Sequence, residues 1–244
     1  MSNRKKLNMN VLRNLRIRLR ENAILKRLLY PFVRWFAVRV LKIKRRLIRR
    51  YGYEAIERIF IAAEKVAMPY HAAFGTLLGF VREGGFIPHD EDIDFAMMPE
   101  NGKVKLFFEA LEEAGFVFER FLLLDNKLHE FSMRYKEVSI DFFQLHFDND
   151  KRSICHVTDK KGSYWPVFHW PIPESLSILS IHGVTTFVPD NYEIVLERLY
   201  GDWKTPVVQW ESTMAPIFDK DYSNHKWYLS RDRDEWMGFL ATGD

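Results

Sequence analysis

Two aspartates separated by one residue are the first feature of this sequence that could do chemistry. Asp92 and Asp94 flank Ile93 in the run H-D-E-D-I-D-F. On a β-strand, residues i and i+2 point to the same face, so the two carboxylates should converge while Ile93 and Phe95 face the core. Carboxylates held together repel each other, and a divalent cation relieves that repulsion. Oxygen ligands of this kind suit Mg²⁺, which takes one or two carboxylates together with substrate phosphates.

A third carboxylate lies alone in an apolar segment. Asp141 stands in the run S-I-D-F-F. An aspartate among Ile and Phe side chains is costly unless it is paired, hydrogen-bonded or bound to a metal. The residues alone leave two interpretations open, a metal ligand and a buried hydrogen-bonding aspartate.

Upstream, Gly75 and Thr76 follow a predicted strand and open a predicted helix. This arrangement offers backbone N–H groups and a hydroxyl to a phosphate at a helix N-terminus. A Gly-Thr pair alone is commonly a turn with a helix cap, and a lone D-x-D is commonly a solvated turn. Together with a third carboxylate they form the parts of a metal-assisted phosphoryl-transfer site.

The elements that must position these residues alternate between helix and strand. Hydrophobic periodicity predicts helices at 55–66, 75–82, 104–111 and 191–199. It predicts strands at 70–74, through Met97, and at 116–124, 131–135 and 139–147, with a hairpin around Gly183. The stretch 164–173 is predicted to be irregular, and the pattern assigns no element to the tail 207–244. The predicted fold class is α/β (α+β), a mixed sheet flanked by helices.

The charge is distributed very unevenly along the chain. Residues 1–50 contain 17 of the 36 Lys and Arg residues but one of the 33 acids, Glu21. The sequence therefore predicts two domains, a basic helical arm at 1–50 and a catalytic domain at 51–244. The single cysteine, Cys155, excludes an internal disulfide framework and is predicted to be a small core residue.

The predicted arm is amphipathic. Its apolar residues recur at steps of three and four from Leu25 to Leu47, with Arg and Lys on the other faces and Trp35 as an interfacial anchor. Such a helix could lie on an anionic membrane surface, dock on the main domain or bind nucleic acid. Nucleic acid is not expected as a partner because no recognisable nucleic-acid module follows the arm. No apolar run reaches the length of about 18 residues that a membrane span requires.

The stretch Gly75–Asp94 resembles the signature of the LicD/fukutin family of the nucleotidyltransferase fold. The residues that match are Gly75, Thr76, Leu77, Leu78, Gly79, Arg82, Gly85, Phe86, Ile87, Pro88, Asp90, Asp92, Ile93 and Asp94. The run around Asp141 resembles the family's V-D-I-F segment, and V-P-D-N-Y and L-Y-G-D-W resemble its closing element. The resemblance covers residues 54–206 and departs from the family pattern at Glu83, His89 and Glu91.

This resemblance implies a phosphotransferase that uses a CDP-activated donor. The catalytic and metal-binding residues that it implies are Asp92, Asp94 and Asp141, with Mg²⁺ as the cofactor and Mn²⁺ as an alternative. The substrate-binding residues that it implies are Gly75, Thr76, Arg82 and Asp90. Among these, Arg82 could pair either with phosphate oxygens or with a surface acid.

Members of the family move phosphocholine or polyol phosphates onto glycans. We expect transfer of phosphocholine, with glycerol or ribitol phosphate as alternatives, to a cell-surface polysaccharide (capsule or lipopolysaccharide) or its lipid-linked precursor. The basic arm predicts a cytoplasmic protein lying peripherally at the inner face of the membrane. Two other functions stay open, a nucleotidyltransferase that adds a nucleotide to protein or RNA, and a non-catalytic membrane-associated scaffold.

Overall fold

The computed structural model describes residues 23–100, 102–147, 152–156, 163–207 and 219–242. The chain divides into two compact units, Met1–Ile43 and Lys44–Asp244. The division falls inside the first helix, ahead of the boundary predicted at residue 50. Residues 1–22 of the predicted arm lie outside the described residues. Among the described helices, none is long and apolar enough to cross a membrane.

The secondary structure is mixed. The helices are α1 (Ala23–Val66), α2 (Phe74–Leu78), which continues into a π-helical turn at Gly79–Glu83, α3 (Lys103–Glu113), α4 (Tyr192–Tyr200) and α5 (Arg233–Thr242). The strands are β1 (Tyr70–Ala72), β2 (Ile93–Met97), β3 (Val117–Leu124), β4 (Lys127–Tyr135), β5 (Val138–Gln144), β6 (His146–Phe147), β7 (Arg152–His156), β8 (Trp165–Pro171), β9 (Leu176–Ile181), β10 (Val184–Pro189), β11 (Asp219–Asp221) and β12 (Trp227–Ser230).

The largest sheet has six strands in the order β1-β2-β5-β4-β3-β12. Strands β2 and β5 are parallel, and the other neighbours in this sheet are antiparallel. The predicted mixed sheet with flanking helices is therefore confirmed. The strands predicted around Met97 and at 116–124, 131–135 and 139–147 correspond to β2, β3, β4 and β5.

One face of this sheet is built from aromatic residues. Four phenylalanines occupy paired positions across β2, β5, β4 and β3, namely Phe95, Phe142, Phe131 and Phe121. All four are at most 1% exposed, and the ring centroids of Phe131 and Phe142 lie 4.9 Å apart. Their alternation with polar residues is the period of two that a half-buried strand requires.

Helices α3 and α5 cover this aromatic face. Trp236 of α5 is fully buried, with its ring centroid 5.2 Å from that of Phe121 and 5.6 Å from that of Phe108 on α3. The last helix thus completes the core. The sequence pattern did not assign it, because charged residues precede its short apolar run and Gly238 interrupts that run.

A second sheet contains β11-β8-β7-β6, and β9 pairs with β10 in the hairpin predicted around Gly183. The prediction that 164–173 is irregular was wrong, since β8 occupies most of it. Proline argued against a strand there. However, Pro166 and Pro171 each form part of β8, with Pro171 at its last position. Cys155 on β7 is buried, as predicted.

Candidate active site

A row of polar residues crosses the main sheet on the face opposite the phenylalanines. Asp94 on β2 is the register partner of Asp141 on β5, which is the partner of Ser132 on β4. Ser132 in turn lies opposite Arg120 on β3. Each of these residues is the chain neighbour of one of the phenylalanines, so the same alternation that buries the rings brings the polar side chains together.

A β-bulge on β3 places Arg120 in this row. Phe118 pairs with Met133 and Arg120 pairs with Ser132, so Glu119 is an extra residue without a partner in the ladder. A bulge shifts the face to which the following side chains point. Arg120 consequently joins the polar face of the sheet beside Asp141.

Arg120 connects two buried acids. Its Nη2 donates to Glu130 Oε1 and lies 3.4 Å from both carboxylate oxygens of Asp141, while its Nε donates to Ser132 Oγ at 2.9 Å. The Ser132 hydroxyl donates to Glu130 Oε1 at 3.1 Å. Glu130 and Asp141 are only 5% and 7% exposed. The guanidinium is therefore the direct counter-charge for two carboxylates at one end of the row.

At the other end, Thr76 fixes the backbone of Asp94. The Asp94 N–H donates to Thr76 Oγ1 at 2.9 Å, and Thr76 is 1% exposed. The predicted pair Gly75 and Thr76 lies in the first turn of α2, as the sequence indicated, although the helix begins at Phe74. The phosphate-binding role of this pair stays a prediction.

Asp90 packs against Gly75. A β-carbon at Gly75 would lie 3.0 Å from Asp90 Oδ1, so glycine leaves room for this carboxyl group. Asp90 Oδ2 is buried and has no hydrogen-bond partner among the described residues. Burial, together with repulsion from Asp92, raises the pKa of Asp90 to about 7.

The three predicted metal ligands lie close enough to repel one another. Burial raises the pKa of Asp94 well above its ordinary value, and the charges of Asp92 and Asp141 raise it further. Burial also raises the pKa values of Asp92 and Asp141, against the opposing effect of cations such as Arg120. The nearby cations do not offset the repulsion among these carboxylates, and carboxylate oxygens are the ligands that hard divalent cations prefer. The residues present therefore fit Mg²⁺ or Mn²⁺.

Basic residues in the middle of α1 lie beside the acidic loop. Arg45 Nε donates to the carbonyl of His89 at 3.2 Å, and its guanidinium lies 4.0 Å from Glu91. Lys44 is close enough to Asp92 to oppose the rise in the pKa of that carboxyl group. Both residues fall in the basic arm predicted from the sequence and in the second structural unit.

Arg82 connects the motif helix to the L-Y-G-D-W segment. Its Nη1 donates to the carbonyl of Trp203 at 2.9 Å, and its Nε donates to Glu83 at 2.7 Å. Tyr200 in the same segment is near the carboxylates, since burial and then the charges of Asp94 and Asp90 raise the pKa of its hydroxyl. The substrate-binding role of Arg82 stays a prediction, and the contacts of its guanidinium are to protein groups.

Sequence reasoning missed Glu130, Arg120, Lys44 and Tyr200. The first two lie in strands that carry other charged residues, Glu119 on β3 and Lys127 and Arg134 on β4, so neither stood out as Asp141 did. Lys44 gave no signal of its own because it stands among many basic residues. Tyr200 was within the family resemblance but carries no charge.

Comparisons with known proteins identify the family of the chain. A family model described as LicD/FKTN/FKRP, nucleotidyltransferase domain, matches residues 67–191. The match contains the motif helix, Asp92, β2 with Asp94, and β5 with Asp141.

Several curated proteins are similar to the chain. The mouse (Mus musculus) protein "Ribitol-5-phosphate transferase FKTN" is 24% identical over 174 residues, covering 69% of this chain and 36% of that protein. "Uncharacterized protein T07A5.1" of Caenorhabditis elegans is 27% identical over 181 residues, covering 68% of this chain and 48% of that protein. The chain thus spans between about a third and a half of the length of these relatives.

Among solved structures, the chain is similar to the crystal structure of ANT(2")-Ia in complex with adenylyl-2"-tobramycin. The TM-score is 0.40 with 17% identity, covering 66% of this chain and 82% of that chain. The fold assignment rests on the family match and on the mixed sheet itself.

Proposed function

The chain belongs to the LicD/FKTN/FKRP family of nucleotidyltransferase domains, and we propose that it is a divalent-metal-dependent phosphotransferase. In this proposal it moves a phospho-alcohol from a CDP-activated donor to a hydroxyl group of a glycan. The observation that carries the proposal is the pairing of Asp94 with Asp141 on adjacent parallel strands. Asp92 lies directly before β2, close enough to Asp94 for its charge to raise the pKa of that carboxyl group.

The donor diphosphate would lie between the acidic row and the basic residues Lys44 and Arg45 of α1. A bound Mg²⁺ or Mn²⁺ supplies positive charge to the phosphate oxygens. Asp92, Asp94 and Asp141 are the residues that would hold it. Thr76 keeps Asp94 in place through the 2.9 Å hydrogen bond to its N–H. Lys44, which already acts on Asp92, would attract the remaining phosphate charge.

The transfer requires a base for the acceptor hydroxyl. The acceptor oxygen forms a bond to the phosphorus that carries the alcohol, the bond from that phosphorus to the bridging oxygen breaks, and CMP leaves. We assign the hydroxyl proton to Asp141. Burial raises the pKa of Asp141, which makes the carboxylate a better base at neutral pH. Arg120, at 3.4 Å from both its oxygens, orients the carboxylate.

The cargo is a proposal of its own. The name of the mouse and human relatives specifies ribitol 5-phosphate, whereas the motif resemblance led us to expect phosphocholine. Both are alcohol phosphates that a CDP-linked donor could deliver, and both leave CMP as the second product. The donor panel must therefore contain CDP-ribitol and CDP-choline together with CDP-glycerol.

A release assay tests the function. Purified protein is incubated with Mg²⁺, each donor and a glycan extract, and CMP is measured for wild type, Asp92→Asn and Asp141→Asn. We expect CMP from one donor and a loss of at least about 100-fold in both variants, as for removal of a group that stabilises the transition state. Asp234→Asn, on the exposed side of α5, is the matched control and should retain activity.

Three results would contradict the proposal. CMP release that persists in Asp92→Asn and Asp141→Asn would show that the acidic row is not the active site. A glycan, protein or RNA product that carries cytidine, with the phospho-alcohol released, would show nucleotide transfer. Activity in cells that is indifferent to both substitutions would favour a scaffold.

For residues 1–50 we propose peripheral binding to an anionic membrane surface, at the cytoplasmic face of the membrane. Trp35 is 56% exposed, and the Arg39 guanidinium lies 5.5 Å from its ring, as suits an interfacial anchor. Flotation of the full chain with anionic and with neutral vesicles, and of a variant that lacks residues 1–43, tests this. Binding to anionic vesicles that is unchanged by the deletion would contradict it.

A further inference from the structure

Three side chains outside the acidic row have their ligand atoms turned toward one another. His156 ends β7, Asp221 ends β11, and His225 lies two residues before β12. Their nearest ligand atoms all lie within 4.8 Å of one another. The Nε2 atoms of His156 and His225 lie 3.1 Å and 2.6 Å from the same oxygen, Asp221 Oδ2.

Neighbouring groups fix the orientation of these side chains. Asp125 Oδ2 lies 2.6 Å from Nδ1 of His225, so the Nδ1 atom is engaged and Nε2 is the atom turned to the cluster. The N–H of Ser223 donates to Asp221 Oδ1 at 2.7 Å, which leaves Oδ2 facing the two histidines. A carboxylate on the outer nitrogen of a histidine is the usual support of a metal-binding imidazole.

From this geometry we propose that His156, Asp221 and His225 bind a zinc ion. Two imidazole nitrogens and one carboxylate oxygen are a donor set that Zn²⁺ takes at about 2.0–2.2 Å, and tetrahedral ligands at that length lie about 3.3 Å apart. Both histidine nitrogens lie closer to Asp221 Oδ2 than that, at 3.1 Å and 2.6 Å, as hydrogen-bonded groups do, so the ligand atoms would move apart slightly when the ion binds. Water completes the fourth position.

In this proposal the zinc ion connects the two sheets. His156 and Asp221 belong to the second sheet, whereas His225 leads into β12 of the main sheet. Asp125, in the turn between β3 and β4 of the main sheet, also accepts a hydrogen bond from the Lys226 N–H at 2.8 Å. One ion would thus cross-link the two sheets within the second structural unit, where metal-binding energy adds to folding energy.

Zinc binding by the full chain tests the proposal. Metal-stripped protein is titrated with ZnCl₂ by calorimetry, with Mg²⁺ in millimolar excess to compete at the acidic row, and bound zinc is counted by elemental analysis. We expect one zinc per chain and a rise in the thermal unfolding midpoint. His225→Ala and Asp221→Asn should lose the bound zinc and the rise. Asp219→Asn, on the same strand with a 65% exposed carboxylate, is the matched control and should keep both.

A second variant covers the case in which the ligand variants do not fold. Asp125→Asn keeps all three ligands and should weaken zinc binding by about 10–100-fold. Cobalt substitution gives a visible absorption spectrum that reports the ligands directly. Absence of zinc from the wild type, or unchanged binding in His225→Ala, would overturn the proposal. So would loss of the zinc in Asp94→Asn rather than in His225→Ala, since the ion would then sit in the acidic row.

Discussion

Replacing Asp90 by Asn should reduce the pH dependence of stability of the metal-free protein. The pKa of this carboxyl group rises from 3.8 to about 7 on folding, through burial and through repulsion by Asp92. The folded chain therefore holds a proton that the unfolded chain has released at every pH between these values. Stability should fall as the pH rises from about 4 to about 7.

The magnitude follows from the shift. About three pH units at 1.36 kcal/mol each give about 4 kcal/mol. Since the carboxyl group is partly exposed, solvent screening reduces the expected effect to about 2–4 kcal/mol. In Asp90→Asn this contribution is absent, because the side chain is uncharged at every pH. The variant therefore places no charge at the buried site where Asp90 Oδ2 has no hydrogen-bond partner.

The assay is urea unfolding in EDTA at about pH 5 and about pH 8. Wild type should lose more stability between the two conditions than Asp90→Asn does, by about 1–2.5 kcal/mol, because about two of the three pH units of the shift lie above pH 5. Asp234→Asn, an exposed aspartate on α5, should behave as wild type. Adding Mg²⁺ at about pH 8 should restore stability to the wild type, because a ligand that binds only the folded state stabilises it. Parallel pH profiles for wild type and Asp90→Asn would refute this account of the acidic loop.

Three other predictions follow from contacts in the same unit. Thr76→Val deprives the buried Asp94 N–H of its acceptor and should lower the free energy of unfolding by about 1–3 kcal/mol. Thr76→Ser keeps the hydroxyl and should cost less, and equal values for the two variants in urea unfolding would contradict the role of the hydrogen bond. Arg120→Met leaves the Asp141 carboxylate without its counter-charge, so CMP release should fall at least about 10-fold while the circular dichroism spectrum stays native. An unchanged rate of CMP release would exclude Arg120 as a positioning residue. Trp236→Ala should cost about 3–5 kcal/mol in urea unfolding, and a cost below about 1 kcal/mol would show that α5 does not complete the core.

Much of the framework could be predicted from short-range pattern. The alternation around Ile93 and Phe95 gave the strand and its buried face, since both residues are fully buried. The isolated charge of Asp141 indicated a buried acid before any partner was known. The family resemblance supplied the family, and the family match over residues 67–191 confirms that assignment.

What could not be predicted depends on long-range pairing. The bulge at Glu119 is visible only when β3 is aligned with β4, and it decides that Arg120 rather than Glu119 faces Asp141. β12 joins β3 across about a hundred residues of sequence, as the hydrogen bond between Lys226 and Asp125 records. Neither this strand pairing nor the proximity of His225 to His156 can be recognised from the local sequence.

The acidic row and the phenylalanine row depend on each other. Because the side-chain period of a strand is two, a slip of one residue between β2 and β5 would expose Phe95 and Phe142 and bury Asp94. Burial of each phenylalanine contributes about 1.5–3 kcal/mol, and four of them exceed the cost of about 2–4 kcal/mol that we assign to Asp90. The aromatic face therefore fixes the register and holds the repelling carboxylates together while no cation is bound. Substitutions that remove aromatic side chains from this face should weaken metal binding even though these side chains touch no metal ligand. The carboxylates could then move apart, so less of their repulsion would remain for the cation to offset.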